Sequence, residues 1–299
     1  MGCGGMLYGF EKEVIDEIKS IGIPESDIVL GEKEHTSGEK LDIYIPSKRI
    51  AVQLGSKTYN ALVMGKKTYN QNKSIQCFRV GIRLIYIFEY EWNNIDTRRK
   101  LIEILRRELT PESNKVIYAR NTKVVSLENR EIIRFINENH LQNHVSSGIN
   151  YGLMYNNELV AVMTFAKPRF TKDDTEYELL RLAYRSGVIV VGGSNKLFKA
   201  FIKEYNPNSI ISYCDVAKFS GKVYGKLGFV MAKLPITEPN YVWVSRDQSI
   251  VLKRYQTMKH KLLAKGIGTP DMTEVQIMQS IGYTKVHDCG NYKFMWNKK

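Results

Sequence analysis

Leu41-Asp-Ile-Tyr-Ile-Pro-Ser-Lys-Arg-Ile-Ala-Val-Gln-Leu-Gly55 is the stretch on which the fold of the N-terminal third turns. Leu41, Ile43 and Ile45 alternate with Asp42 and Tyr44, and Ile50, Val52 and Leu54 alternate with Ala51 and Gln53. A period of two marks strands with one buried face. A two-residue turn at Ser47-Lys48 pairs Ile45 with Ile50 and Ile43 with Val52. In that register Asp42 stands opposite Gln53, with Cβ atoms about 5 Å apart. Two oxygen-bearing side chains on one face suit a hard cation, Mg²⁺ or Mn²⁺, with water and a phosphate completing the octahedron. Such a cation activates water and stabilises the leaving oxygen in phosphodiester hydrolysis.

Working outward, Leu7 to Ser20 has helical periodicity, with Leu7, Glu11, Val14 and Ile18 on one face and Ile15 beside them. A glutamate on an apolar stripe needs a partner or an outlet, because unpaired burial is costly. Glu11 therefore either shares the hairpin's metal or water, or reaches solvent as a boundary residue. Glu13 is expected on a more exposed face as a solvated charge. After the hairpin a Lys-rich stretch runs from Lys57 to Lys73 and turns helical before Gly81. Arg83 to Phe88 reads as a buried strand, and Thr97 to Leu109 as a basic helix. The order helix, hairpin, helix, strand, helix predicts a small α/β (α+β) domain over residues 6–110, behind a leader at 1–5.

Several motifs together resemble a known family. Glu11-Lys-Glu-Val14, Leu41-Asp-Ile-Tyr-Ile-Pro-Ser-Lys48, Ile50-Ala-Val-Gln53 and Gly81-Ile-Arg-Leu-Ile-Tyr-Ile-Phe-Glu-Tyr-Glu-Trp92 look like phage homing endonucleases with a PD-(D/E)XK core. These are related to very-short-patch repair nucleases. The resemblance implies metal-dependent cleavage of double-stranded DNA, with Asp42 as the first metal ligand; the hairpin register adds Gln53 as its partner, and Glu11 and Lys73 are the further catalytic candidates. Lys57, Lys66 and Lys67 are expected to hold the DNA backbone, or, like Lys73, to bring a positive charge to the scissile phosphate. The pattern departs from the family at three places. Gln53 stands where the family has Glu, and Asn60 and Asn70 stand where it has His. Gln brings no negative charge to a metal, and Asn cannot act as a general base or acid as His does.

Thr110, Pro111 and Ser113 mark a linker at 111–115, after which residues 116–299 form a second domain. Its expected elements include a hairpin over Asn150 to Phe165 turning at Asn156-Asn157. A strand follows at Glu176 to Ala183, then the helix Asn195 to Tyr205 with Ser194 as its N-cap. Val191-Gly-Gly-Ser-Asn-Lys-Leu-Phe198 and Tyr224-Gly-Lys-Leu-Gly-Phe229 resemble the GNAT acyltransferase fold, where a glycine turn at a helix N-terminus holds a pyrophosphate. The usual Arg/Gln-x-x-Gly-x-Gly spacing is absent. Lys167, Arg169 and Lys196 are candidate DNA contacts. His140 and His144 are four apart near a helix end, which suits a solvated loop better than a metal pair. The tail segment Lys253 to Lys265 sets basic residues around Tyr255.

The 299 residues are 43% hydrophobic and 25% charged, an ordinary globular composition that excludes disorder throughout. Lys and Arg number 44 against 31 Asp and Glu, a net charge of +13 that favours a polyanion. The four cysteines have no CxxC spacing, so neither a zinc site nor a disulfide framework is expected. No apolar run spans a membrane. The expectation is a metal-dependent homing-type endonuclease on double-stranded DNA, with no cofactor beyond the metal. Its place is the cytoplasm of a phage-infected host, with a homodimer left open. The alternatives are a cleavage-deficient DNA-binding protein of the same architecture and a GNAT-type acyltransferase acting on DNA or a nucleobase.

Overall fold

A computed structural model describes residues 9–33, 39–168, 173 and 175–298. The chain runs α1 (Phe10–Ser20), β1 (Val29–Glu32), β2 (Leu41–Ile45), β3 (Ile50–Gly55), α2 (Lys57–Val63), α3 (Tyr69–Arg79), β4 (Arg83–Phe88), α4 (Glu89–Asn93) and α5 (Ile95–Leu109). It continues through β5 (Lys115–Tyr118), β6 (Lys123–Ser126), α6 (Asn129–Asn139), β7 (Ile149–Tyr155), β8 (Glu158–Ala166), β9 (Glu176–Tyr184), β10 (Val188–Val191), α7 (Gly193–Tyr205) and β11 (Ser209–Asp215). It ends with α8 (Lys222–Lys226), β12 (Val230–Ile236), β13 (Tyr241–Ser245), β14 (Val251–Lys253), α9 (Lys259–Ala264), α10 (Glu274–Ser280), β15 (Tyr283–His287) and β16 (Asn291–Asn297). Two compact mixed α/β units result, each assembled from separate stretches. Unit 1 holds residues 1–102, 216–219 and 238–290, and unit 2 holds 103–215, 220–237 and 291–299. A single cut at 111–115 does not reproduce this division.

In unit 1 the sheet order is β1-β2-β3-β4, antiparallel except for β3 and β4. Ile43 pairs with Val52 and Ile45 with Ile50, as the alternation predicts. The turn between them is longer than two residues. Pro46 to Lys48 form a 3-10 turn and Arg49 closes it at φ 53, its N–H donating to the Pro46 carbonyl at 3.1 Å. The Arg49 guanidinium donates to the Val80 carbonyl at 2.6 Å, which holds this left-handed residue in place. Leu84 to Phe88 of β4 are all buried. Phe10, Val14, Ile15 and Ile18 form the buried face of α1, while Leu7 lies outside the described residues.

Residues 238–290 add a second sheet to unit 1, in the order β14-β13-β15. Trp243, Leu262, Ile277 and Met278 form its core with α9 and α10. Thr273 caps α10: its Oγ1 accepts the Gln276 N–H at 3.3 Å, and the Gln276 side chain accepts the Thr273 N–H at 2.8 Å.

Unit 2 is built on a seven-stranded sheet in the order β6-β7-β8-β9-β11-β16-β12. Every neighbouring pair is antiparallel except β9 and β11. The β7–β8 hairpin turns at Asn156 and Asn157, both at positive φ as predicted. Phe165 on β8 stacks on Phe201 of α7, with ring centroids 3.7 Å apart. Val162 and Ala183 pack with Ile132, Phe135 and Ile136 of α6. Residues three apart on β8, Val162 and Phe165, thus face opposite helices, and the sheet is covered on both sides. The N-cap of α7 is Gly192 at φ 78, and Ser194 lies within the first turn instead of capping it. Among the described residues no helix is long and apolar enough to cross a membrane.

Candidate active site

The predicted hairpin pair does meet. Gln53 Nε2 donates to Asp42 Oδ2, and the Leu54 N–H donates to the same oxygen at 2.9 Å. The contact closes the pair on itself. Asp42 Oδ1 faces the Lys40 ammonium at 3.8 Å. Burial raises the Asp42 carboxyl above the usual aspartate range, against the opposing pull of the Leu54 N–H, Lys73 and Lys40. Lys73 is buried on α3, its ammonium donating to the Lys40 carbonyl, and burial lowers its pKa. One carboxylate with one oxygen already taken by two donors, and lysines beside it, does not fit a divalent cation, which wants negative oxygens and no cations nearby. Among the described residues no three His, Cys, Asp or Glu side chains are placed to hold a metal ion.

Of the other predicted residues of unit 1, Asn60, Asn70, Lys66 and Lys67 are engaged within the unit. Glu11 is half-exposed on α1. Glu13 is not a free surface charge: it accepts the Trp92 indole N–H at 3.0 Å and pairs with Arg98 at 3.2 Å. Asn60 donates to the Gly55 carbonyl at 2.9 Å. Asn70 accepts the Tyr59 hydroxyl at 2.7 Å and donates to the His287 carbonyl at 2.8 Å. Lys57 is exposed, Lys66 lies 5.5 Å from the Tyr69 ring centroid and Lys67 pairs with Glu238.

Of the residues predicted in unit 2, Lys167 sits over the Tyr177 ring at 3.8 Å. Lys196 donates to the carbonyls of Ala119, at 2.8 Å, and Thr122. Arg169 lies outside the described residues. His140 and His144 form no metal pair: His140 Nδ1 accepts the Gln142 N–H at 3.2 Å.

A different constellation stands in the middle of the unit 2 sheet. The parallel pairing of β9 with β11 runs only from Glu176 opposite Ser209 to Leu179 opposite Ser212. Beyond it the two strands no longer pair, and the sheet forks. At the same point β9 carries a bulge. Thr164 pairs with Arg181 and Phe165 with Leu179, so Leu180 is an extra residue without a partner on β8. Glu178 lies opposite Ala166 and Arg181 opposite Thr164, so both face the same side. The Arg181 guanidinium donates to the carbonyls of Leu180 at 2.8 Å and Asn143 at 2.9 Å. Burial raises the Glu178 pKa, opposed by the charge of Arg181. Burial lowers that of Arg181, opposed by Glu178.

Tyr224 of α8 reaches the same fork. Gly221, at φ 71, opens α8, and the Tyr224 ring stacks on Phe294 with centroids 4.5 Å apart. Its hydroxyl lies 2.9 Å from Ser212 Oγ, which is 2.8 Å from the Leu179 carbonyl. A carbonyl only accepts, so the Ser212 proton goes to Leu179 and the Tyr224 proton to Ser212. Burial pushes the Tyr224 pKa far up, and the hydroxyl stays protonated at neutral pH. At the first turn of α7, Gly192 and Asn195 are exposed. The Tyr224-Gly-Lys-Leu-Gly-Phe229 motif is visible in the sequence, but no role for Tyr224 follows from it. Glu178 and Ser212 are missed, because nothing in Glu176 to Tyr184 marks the bulge.

No family model matches the sequence, and no curated protein matches it. Among solved structures the chain is similar to a Bacillus subtilis acetyltransferase in complex with CoA, at 13% identity over 60% of this chain and 99% of that one, with a TM-score of 0.35. It is similar to the ribosomal-protein-S18-alanine N-acetyltransferase from Escherichia coli, at 13% identity over 59% and 93%, TM-score 0.32. A GNAT family acetyltransferase from Elizabethkingia anophelis with acetyl-CoA bound gives 11% identity over 60% and 99%, TM-score 0.34. The mixed α/β fold class expected from the sequence is present, and unit 2 carries the forked seven-stranded sheet described above. The homing-endonuclease reading is corrected, together with the hydrolase, magnesium and phage-host expectations attached to it. The predicted metal pair is a closed hydrogen-bonded contact with Lys40 and Lys73 beside it, and among the described residues no three His, Cys, Asp or Glu side chains gather to hold a metal ion.

Proposed function

We propose that unit 2 is an acyltransferase, moving an acyl group from a thioester of the coenzyme A type to an amine. The bulge at Leu180 carries this reading. It brings Glu178 and Arg181 onto one face of β9, at the fork where the protonated Tyr224 stands. An acyl thioester supplies an electrophilic carbonyl and a thiolate leaving group. Glu178, with its pKa raised, is suited to take a proton from the attacking amine. Tyr224, held as a neutral phenol, is suited to give a proton to the departing sulfur. Arg181 opposes the lift that burial gives the Glu178 carboxyl. The residues fit such a donor at its reacting end.

The net charge of +13 favours an acceptor amine carried on a polyanion, DNA before protein. Titration calorimetry of the full chain with acetyl-CoA is the direct test, followed by thiol release in the presence of duplex DNA or peptide amines. Micromolar binding with acceptor-dependent thiol release supports the reading. No binding at millimolar acetyl-CoA sinks it.

A further inference from the structure

From Gln248 to Pro270 the chain carries no Asp or Glu, but five cations: Lys253, Arg254, Lys259, Lys261 and Lys265. Tyr255 stands among them in the chain, directly after Lys253 and Arg254, and is 56% exposed. A solvated surface ordinarily mixes both signs of charge, and a segment of one sign repels itself. Lys259 and Lys261 also stand in the first turn of α9, the end of a helix where a cation is disfavoured. The arrangement is nevertheless built firmly. Thr257 is fully buried and Leu262 packs into the core with Trp243 and Ile277. Lys259 Nζ donates to the Pro270 carbonyl and Lys261 Nζ to the Tyr255 carbonyl, both at 2.7 Å. Lys261 also lies 5.3 Å from the Tyr255 ring centroid. Cations fixed in this way lose less freedom on meeting a phosphate than free lysines do.

We infer that this face, from Lys253 to Lys265 around Tyr255, binds single-stranded nucleic acid. The cations track the phosphates, and Tyr255 offers its ring to a base. An exposed aromatic among cations distinguishes this from a purely electrostatic patch, since every base has a face to stack and a lipid headgroup has none. The inference stands apart from acyl transfer: the residues belong to unit 1, and none of them is at the fork.

The test is fluorescence anisotropy of the full chain with a short fluorescein-labelled single-stranded oligonucleotide, across a salt series. Wild type binds in roughly the micromolar range, with affinity falling linearly in log salt. Lys253→Ala/Arg254→Ala/Lys261→Ala flattens that slope by about 2, from about 0.7 for each of three contacts on a single strand. Tyr255→Ala weakens binding about tenfold, and Tyr255→Phe restores it, because the ring and not the hydroxyl stacks. A control, Lys203→Ala/Lys222→Ala/Lys226→Ala, removes the same charge from exposed positions of unit 2 and leaves the affinity near wild type. The inference fails if the control lowers binding as much as the triple variant, which makes the effect one of net charge. It fails equally if Tyr255→Ala binds as wild type, or if the chain binds phosphatidylserine vesicles and not the oligonucleotide. Circular dichroism melts confirm that each variant is folded.

Discussion

Glu178 and Arg181 share one face of β9 although they are three residues apart, because Leu180 between them has no partner on β8. In an unbroken strand they would point to opposite sides. Their charges oppose each other's desolvation, which is how a carboxylate stays usable in a half-buried place.

That relationship fixes a pH dependence. Glu178 acts as a base only when deprotonated, and its pKa lies above the usual glutamate value. Acyl transfer therefore rises with pH through this raised value. Removing Arg181 removes the charge that holds the value down, so Arg181→Leu moves the acid limb of the rate profile to higher pH. Glu178→Gln abolishes the limb and lowers kcat/KM by about a hundredfold. Rate profiles of the three proteins decide it, and an unmoved limb in Arg181→Leu removes Glu178 from the base role.

Tyr224 makes a separate prediction. Tyr224→Phe keeps the ring on Phe294 but removes the proton donor and leaves Ser212 Oγ without its donor. Transfer falls by roughly a hundredfold while acetyl-CoA affinity holds. Stability drops by about 1 kcal/mol, the worth of one buried hydrogen bond. A loss of binding with an unchanged rate at saturation would place Tyr224 in donor recognition.

The local fold around that tyrosine depends on one glycine. Gly221 sits at φ 71, and a Cβ there would stand 2.7 Å from the Phe294 ring. Gly221→Ala meets both backbone strain and a clash, which together cost on the order of 3 kcal/mol. Urea denaturation should show this. Gly225→Ala, where a Cβ meets no atom within 4 Å, serves as the neutral comparison.

How much of this is legible in the sequence depends on whether the signal is local. Alternation in Leu41 to Gly55 suffices to pair Ile43 with Val52 and to set Asp42 beside Gln53, because a buried face specifies register. Asn156-Asn157 marks its turn by residue type alone. The bulge at Leu180 leaves no such mark: Leu179 and Leu180 are equally apolar, and only the facing residues on β8 show which is extra. The assignment of 216–219 and 238–290 to unit 1 is equally silent, since it rests on contacts between residues far apart in the chain. The position of Asp42 could be read, but its chemistry could not. Lys40 and Lys73 reach it through folding, and they turn a candidate ligand into a closed structural contact.

Lys218 shows how strongly the short stretch 216–219 is tied into unit 1. Its ammonium is buried, donating to the Tyr86 carbonyl and pairing with Glu91 at 2.6 Å. Lys218→Met leaves Glu91 without its cation, at a cost of about 3–5 kcal/mol. Lys218→Met/Glu91→Leu recovers most of that loss, because no unpaired charge then remains. Chemical denaturation of the two variants separates a structural pin from a dispensable surface pair: equal losses in both would mean that the hydrogen bond to Tyr86 matters more than the pair.

The hairpin supplies the last test. Gln53→Glu places a second carboxyl against Asp42, whose own pKa burial already raises. Two carboxyls in contact cannot both ionise cheaply, so the pair holds a proton that the unfolded chain releases at lower pH. The folded state then binds more protons than the unfolded state above the usual carboxyl range, and stability falls as pH rises through that window. Gln53→Glu should be near wild type around pH 4 and lose on the order of 3 kcal/mol by pH 8. Gln53→Met, which removes the donor to Asp42 without adding charge, should lose about 1–2 kcal/mol. That loss should depend less steeply on pH than the loss in Gln53→Glu. Urea melts across this pH range check both, and a flat profile for Gln53→Glu would show that the new carboxyl escapes to solvent instead of meeting Asp42.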